Sequence, residues 1–182
     1  MVKLLLGRDD VKPNRPDQEG RTPLWGAAKE GHEGIVELLL GRDDLNPDKP
    51  DERDQTPFAW AASEGHEGVV KLLLGRDGVN PNKPDKYDST PLQRAAGNGH
   101  EGVAKLLLGR DDVNFDKLDE TLWYAAYNGH EGVVRILLGR DDVDPNKLDN
   151  SGRTPLACAA ENGHPEVIAL LQPLTTAAYG TT

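Results

Sequence analysis

Apolar residues fall in short clusters separated by polar stretches, and the clusters come in alternating kinds. Leu24, Ala27 and Ala28 lie at i, i+3 and i+4, which is one face of a short helix. Ile35, Val36, Leu38, Leu39 and Leu40 form a wider apolar stripe, which predicts a second helix. Thr22 precedes Pro23, so the threonine is placed to cap exposed amides while the proline takes the first helical position. Gly31 predicts the end of the first helix through a left-handed residue. His32 opens the second helix and Gly41 stops it. Pro165 follows His164 in the last copy, where a first-turn proline is tolerated. Arg42 to Gln55 is rich in Asp, Asn and Pro, which favour turns.

This order of clusters repeats. The five histidines all follow a glycine, at His32, His66, His100, His130 and His164, with spacings of 34, 34, 30 and 34. The glycine of Leu-Gly-Arg recurs at Gly7, Gly41, Gly75, Gly109 and Gly139. Thr-Pro recurs at Thr22, Thr56, Thr90 and Thr154. An alanine pair follows each time, ending with Ala159-Ala160. Helices of about eight or nine residues fall below the roughly 12–15 needed for even marginal stability alone. Stability must then come from stacking, with small alanines allowing close approach and leucines supplying apolar volume.

The repeats divide the chain into a remnant at 1–16, then units at 17–50, 51–84, 85–118, 119–148 and 149–182, with the C-terminal tail in the last. Together they make one continuous domain. Residues Met1 to Arg8 match Val69 to Arg76 in type, so the chain starts inside a second helix with Val2 to Leu6 uncovered. That predicts a piece of a longer array, because a terminal repeat should present a polar outer face. The fourth unit is four residues short between Asp119 and Ala125. A shortened hairpin and a poorly capped first helix are expected there.

A unit of Thr-Pro-Leu-x-x-Ala-Ala-x-x-Gly-His, an apolar helix and a polar hairpin resembles the ankyrin repeat, whose usual period is about 33. The resemblance covers residues 17–182. It implies an all-α repeat solenoid of stacked helix-turn-helix pairs joined by hairpin loops. The phrases GHEG, KLLLGRDD and VNPNKPD resemble the ankyrin tails of large fungal sensor proteins, which carry a nucleotide-binding switch domain upstream. Trp25, Ala59, Gln93, Trp123 and Ala157 stand where the family usually has histidine. With that departure, the resemblance does not carry over the inter-repeat hydrogen bonds usually ascribed to that side chain.

Composition narrows the function classes. A lone cysteine, Cys158, excludes an intramolecular disulfide. Apolar runs of about six residues are far short of the roughly 20 that span a bilayer. Met1 to Arg8 lacks the pattern of a secretory signal, so an intracellular location is expected, with no membrane contact. A net charge of −10 argues against nucleic-acid binding, which needs a basic stripe.

Candidate chemistry is sparse. Repeat-related histidines lie about 8–10 Å apart in stacked helices, too far for zinc, whose nitrogens sit at about 2.0–2.1 Å. The histidines are read as turn residues bonding to the local backbone. Asp142-Val143-Asp144-Pro145-Asn146 and Asp44-Leu45-Asn46-Pro47-Asp48 imitate the start of a calcium loop. Lys147 and Lys49 then replace the required glycine, and Arg153 and Gln55 the glutamate. Asx-turns are expected instead. Cys158 sits among small residues as a buried hydrophobe. No phosphate loop is present, since GRDD follows a helix rather than opening one. No enzyme activity, cofactor or metal is expected.

Aromatic placement points towards binding. Trp25, Phe58, Trp60, Trp123, Tyr124 and Tyr127 lie in first helices, and Tyr87 at a hairpin tip, with none in second helices. The resemblance implies that first helices and hairpin tips line the concave, partner-binding groove, and aromatics are enriched at interface hot spots. Trp25, Trp60 and Trp123 are read as packing residues, with a groove role left open, and Tyr87 and Tyr127 as exposed. The positions that vary while the framework stays constant form the candidate partner site. They are Gln18, Glu19, Arg21, Lys29 and Glu30, then Glu52, Arg53, Gln55 and Glu64. Lys86, Tyr87 and Asn98 follow in the third repeat, Tyr127 and Asn128 in the fourth, and Arg153 and Glu161 in the fifth. The expected function is a protein-interaction module within a larger sensor or scaffold protein. Its partner is a protein or peptide, of basic character by charge steering. The alternative is a structural spacer or self-assembly element. A monomer is expected, with end-to-end stacking through the truncated start left open.

Overall fold

The computed structural model describes residues 12–179, with side chains to residue 174. The expectation for Val2 to Leu6 lies outside the described residues. Among those described there are ten α-helices and no strand, in five pairs. The pairs are α1 (Pro23–Lys29) with α2 (Glu33–Leu40), α3 (Pro57–Ser63) with α4 (Glu67–Leu74) and α5 (Pro91–Gly97) with α6 (Glu101–Leu108). They continue with α7 (Leu118–Tyr127) and α8 (Glu131–Leu138), then α9 (Pro155–Glu161) and α10 (Pro165–Tyr179). The chain forms two compact units that divide between Arg94 and Ala95.

In the first unit α1 packs on α2 and α3 on α4, while α1 also packs on α3 and α2 on α4. Local sequence explains the starts of the first helices. The Thr22 hydroxyl accepts from the Trp25 N–H at 3.1 Å, and Thr56 does the same for Ala59 at 3.1 Å. Thr90 accepts from Gln93 N–H at 3.2 Å while the Gln93 amide oxygen accepts from Thr90 N–H at 2.9 Å, a reciprocal capping box. Leu24, Ala28, Phe58, Ala61 and Ala62 lose all solvent exposure on the first-helix side. Val36, Val69, Val70 and Leu73 do so on the second-helix side. The alanine pairs thus set the close approach and the branched residues fill the space around them.

Gly-His does more than make a turn. Gly31 has φ +70°, the left-handed region. The His66 imidazole lies flat against it: a Cβ on Gly31 would stand 2.7 Å from His66 Nδ1. His66 Nε2 bonds to the Lys29 carbonyl at 2.8 Å, 37 residues away. His66, like His130 and His164, therefore bonds to the preceding repeat, not to the local backbone as expected. His66 makes no side-chain cap bond to its own helix, because the imidazole is long enough to reach across the repeat. Arg76 adds a second tie, donating to the Arg42 carbonyl at 3.2 Å.

The second unit uses the same device. His130 Nε2 meets the Gly97 carbonyl at 2.9 Å and His164 Nε2 the Tyr127 carbonyl at 2.9 Å. Arg140 reaches the Leu108 carbonyl at 3.4 Å. First helix α7 packs on α9, and second helices pack in the order α6, α8, α10. Val103, Leu107, Leu122, Val133, Val134, Leu137 and Leu171 are fully buried there.

Two elements depart from the repeat. Helix α7 has ten residues against seven in α1, α3 and α9, because it begins at Leu118, before the position where the others start. Its N-cap, Lys117, makes no side-chain cap bond, and the Thr121 hydroxyl instead donates to the Lys117 carbonyl at 2.7 Å. With the tip residues missing, the chain winds straight into the helix where the other repeats turn. Helix α10 runs for fifteen residues and through Pro173, longer than the expected nine or so, and it carries Tyr179, so one second helix does hold an aromatic. Pro173 occupies the place of the stopping glycine, and no Gly-Arg follows to end the helix.

Glycines at 31 and 34 make opposite expectations testable by urea denaturation. Gly31→Ala forces a left-handed alanine against an imidazole and should lower stability by about 1–3 kcal/mol. Gly34 is helical and a Cβ there meets nothing within 4 Å, so Gly34→Ala should raise stability by about 0.5–1 kcal/mol.

Candidate functional site

Each hairpin is built around one aspartate. The Asp17, Asp51, Asp85 and Asp149 amides each donate to the carbonyl four residues on, at 2.9–3.0 Å. One carboxylate oxygen of each takes two further backbone N–H groups, as Asp51 Oδ1 does from Arg53 at 2.8 Å and Gln55 at 3.0 Å. The fourth residue is left-handed every time, at Gly20, Asp54, Asp88 and Gly152. In the first unit the tips are tied in series: Glu52 N–H donates to the Glu19 carbonyl at 3.3 Å, and Lys86 N–H to the Arg53 carbonyl at 3.0 Å.

The other carboxylate oxygen takes a side-chain partner that changes along the chain. Asp17 Oδ2 accepts from Arg21 Nε at 2.7 Å, Asp85 Oδ2 from Arg94 Nε at 2.9 Å, and Asp149 Oδ2 from Arg153 at 2.9 and 3.0 Å. Asp51 Oδ2 accepts two indole N–H groups, Trp25 at 3.0 Å and Trp60 at 2.9 Å. Those rings meet edge to face at 5.3 Å, and the Lys29 ammonium lies 4.7 Å from the Trp60 centroid and 5.2 Å from that of Trp25. Both tryptophans are half-buried: their N–H groups are satisfied inside and their faces sit under a cation.

Trp123 lacks that arrangement. Its N–H is buried with no hydrogen-bond partner. The ring stacks on Tyr127 at 5.1 Å, meets Tyr124 edge-on at 5.2 Å, and lies 5.6 Å below the Arg153 guanidinium. Arg153 already fills Asp149, so the carboxylate that receives indoles in the first unit is occupied here. Cys158 is buried nearby, and burial pushes its thiol up against the opposing pull of the Arg153 guanidinium.

Most candidate partner residues lie on the surface. Gln18, Glu19, Arg21, Glu30, Glu52, Arg53, Glu64, Lys86, Asn98, Asn128 and Glu161 are exposed, and Lys29 and Arg153 are half-exposed. Tyr87 is 66% exposed and Tyr127 39%. Gln55 is the departure: it retains 6% exposure, since the hairpin that binds its N–H to Asp51 also folds its side chain inward. Asn128 spends its amide on the Gly97 carbonyl at 2.9 Å. The framework aspartates, Tyr124 and Leu148 were outside the expected set. The constant aspartate at each repeat boundary was the signal for the first group.

The calcium-like loops are closed by their own side chains. Asn46 accepts from Asp48 N–H at 3.1 Å and Asp144 from Asn146 N–H at 2.9 Å, the expected Asx-turns. The guanidiniums of Arg42 and Arg140 hold Asp44 and Asp142 below the usual carboxylate range. Among the described residues no group of three or more His, Cys, Asp or Glu converges, and no helix is long and apolar enough to cross a membrane.

A half-open concavity of about 600 Å³ lies in the second unit, between the segment from Asp116 into α7 as far as Tyr124 and the last hairpin, from Lys147 to Arg153.

Helix pairs that repeat at a fixed period, with hairpins tied by an aspartate and second helices tied by Gly-His, define an all-α repeat protein. The family model for ankyrin repeats matches in three copies, over residues 1–85, 44–119 and 92–179, and the chain belongs to that family. Ankyrin repeats are in general protein-interaction modules. No curated protein matches the sequence.

Two measurements test the aspartates. Asp51→Ala strands two indoles and two amides; unfolding should become easier by about 2 kcal/mol and tryptophan emission should shift to longer wavelength. At Asp149 the backbone N–H of Arg153, then its guanidinium, holds the carboxyl below its ordinary value. The stabilisation is therefore complete above the unfolded value of about 3.9 and disappears as pH falls through the lower folded value. A carboxyl-carbon titration should show this, and Arg153→Gln should move Asp149 upward.

Proposed function

We propose that the chain binds a protein or peptide segment along its first helices and hairpin tips, the concave face of the ankyrin architecture, within a larger sensor or scaffold protein. The observation that carries this reading is the placement of Tyr87 and Tyr127. Both are large, exposed aromatics in positions where the other repeats hold unrelated residues, while the framework beneath is buried and nearly invariant. Tyrosine supplies wide contact area with few rotatable bonds and is common at binding hot spots. A net charge of −10 favours a basic partner through steering. The reading involves an intracellular monomer and needs no cofactor and no catalytic step.

Peptides selected from a displayed random library against the folded chain supply the test. Tyr87→Ala or Tyr127→Ala should weaken selected peptides at least ten-fold while the chain stays folded, with a melting temperature within about 2 °C for Tyr87→Ala and a few degrees lower for Tyr127→Ala, which loses its stack on Trp123. Unchanged affinity in both variants, or unfolding of both, defeats the reading.

A further inference from the structure

The concavity in the second unit is the place of a hairpin that the fourth repeat does not make. In the first unit the second and third hairpin tips each donate a backbone N–H to the tip before, through Glu52 and then Lys86. Asn150 holds the same place in the last hairpin, directly after its aspartate. The preceding tip is absent, α7 starting at Leu118 instead, and among the described hydrogen bonds the Asn150 N–H has no protein acceptor. The opening also leaves Tyr124 40% and Leu148 59% exposed on its two sides. With Asp149 paired to Arg153, Asp116, Asp119 and Glu120 line it against Lys147, and Asp116 and Glu120 are exposed on the helix side.

We propose that this opening takes an extended, arginine- or lysine-bearing segment of a partner protein, which lies where the missing hairpin would be. The inference rests on the interaction reading above and specifies one place of contact. A strand-like segment presents a carbonyl to Asn150 N–H, as the preceding tip does in the first unit. Its cation lies among the Asp116 and Glu120 carboxylates and beside the Tyr124 ring, an attraction strengthened where water is excluded. A neighbouring apolar side chain covers Leu148. An acidic segment meets the surplus of carboxylates and is rejected.

The test uses the full chain labelled with nitrogen-15 and two synthetic peptides. One is a ten-residue peptide alternating arginine and leucine; the other has glutamate at every arginine. Indole N–H signals are followed during titration, with the three tryptophans assigned by substitution. The basic peptide should move Trp123 and leave Trp25 and Trp60 in place, and the acidic one should move none. Glu120→Lys with Leu148→Ser, both on the surface, should weaken the basic peptide at least ten-fold. Replacing residues 119–121 by a copy of residues 85–91 rebuilds the hairpin and should abolish the Trp123 response. Equal response to both peptides, no response up to 1 mM, or unchanged binding in the surface double variant overturns the proposal. If the selected library peptides still depend on Tyr87 and Tyr127 in that case, the interaction reading stands without this opening. If they do not, both fall.

Discussion

The repeat depends on a contact between an imidazole and a backbone that has no side chain to block it. Gly31, Gly99 and Gly129 must be left-handed to turn the chain, and must also be bare, because the next repeat lays its histidine ring there. The bond from Nε2 to the carbonyl of the preceding repeat then fixes one unit at a set height on the next. Helices of seven or eight residues are too short to persist alone, so this registry lets their alanine and leucine faces meet. The repetition of this dipeptide is therefore a structural requirement wherever one repeat stacks on the next, as at His66, His130 and His164.

The hairpin aspartates divide labour between their two oxygens. Oδ1 closes the turn in every full hairpin, which makes the aspartate constant. Oδ2 is spent on whatever polar group the local repeat supplies: an arginine in three cases and two indoles at Asp51. The surface can therefore change character from repeat to repeat without disturbing the turn beneath. Trp123 shows the limit of this freedom. With Arg153 already on Asp149, its N–H is left without a partner.

The pattern of short-range signals was readable in the sequence. Thr-Pro marks the helix starts, Gly-His the turns, and Leu-Gly-Arg the helix ends in all but the last pair, because capping and left-handed turns are decided within four residues. What escaped depends on distance along the chain. The reach of His66 to Lys29 spans 37 residues, and the sharing of Asp51 by Trp25 spans 26. Gln55 occupies a variable position and is nevertheless buried, since variation does not distinguish a position facing solvent from one folded under a hairpin. The shortened fourth repeat was visible as a deletion, but its outcome was not. Removing the tip let Leu118 to Thr121 join the helix, and the space appears beside the last hairpin.

The imidazoles themselves provide the most direct test of this scheme. A carbonyl oxygen has no hydrogen to give, so Nε2 must carry it in His66, His130 and His164. Nitrogen-15 chemical shifts of the rings at neutral pH report the tautomer. The scheme predicts the Nε2–H form for all three, with hydrogens that exchange slowly with water. The Nδ1–H form, or rapid exchange at all three rings, would contradict it.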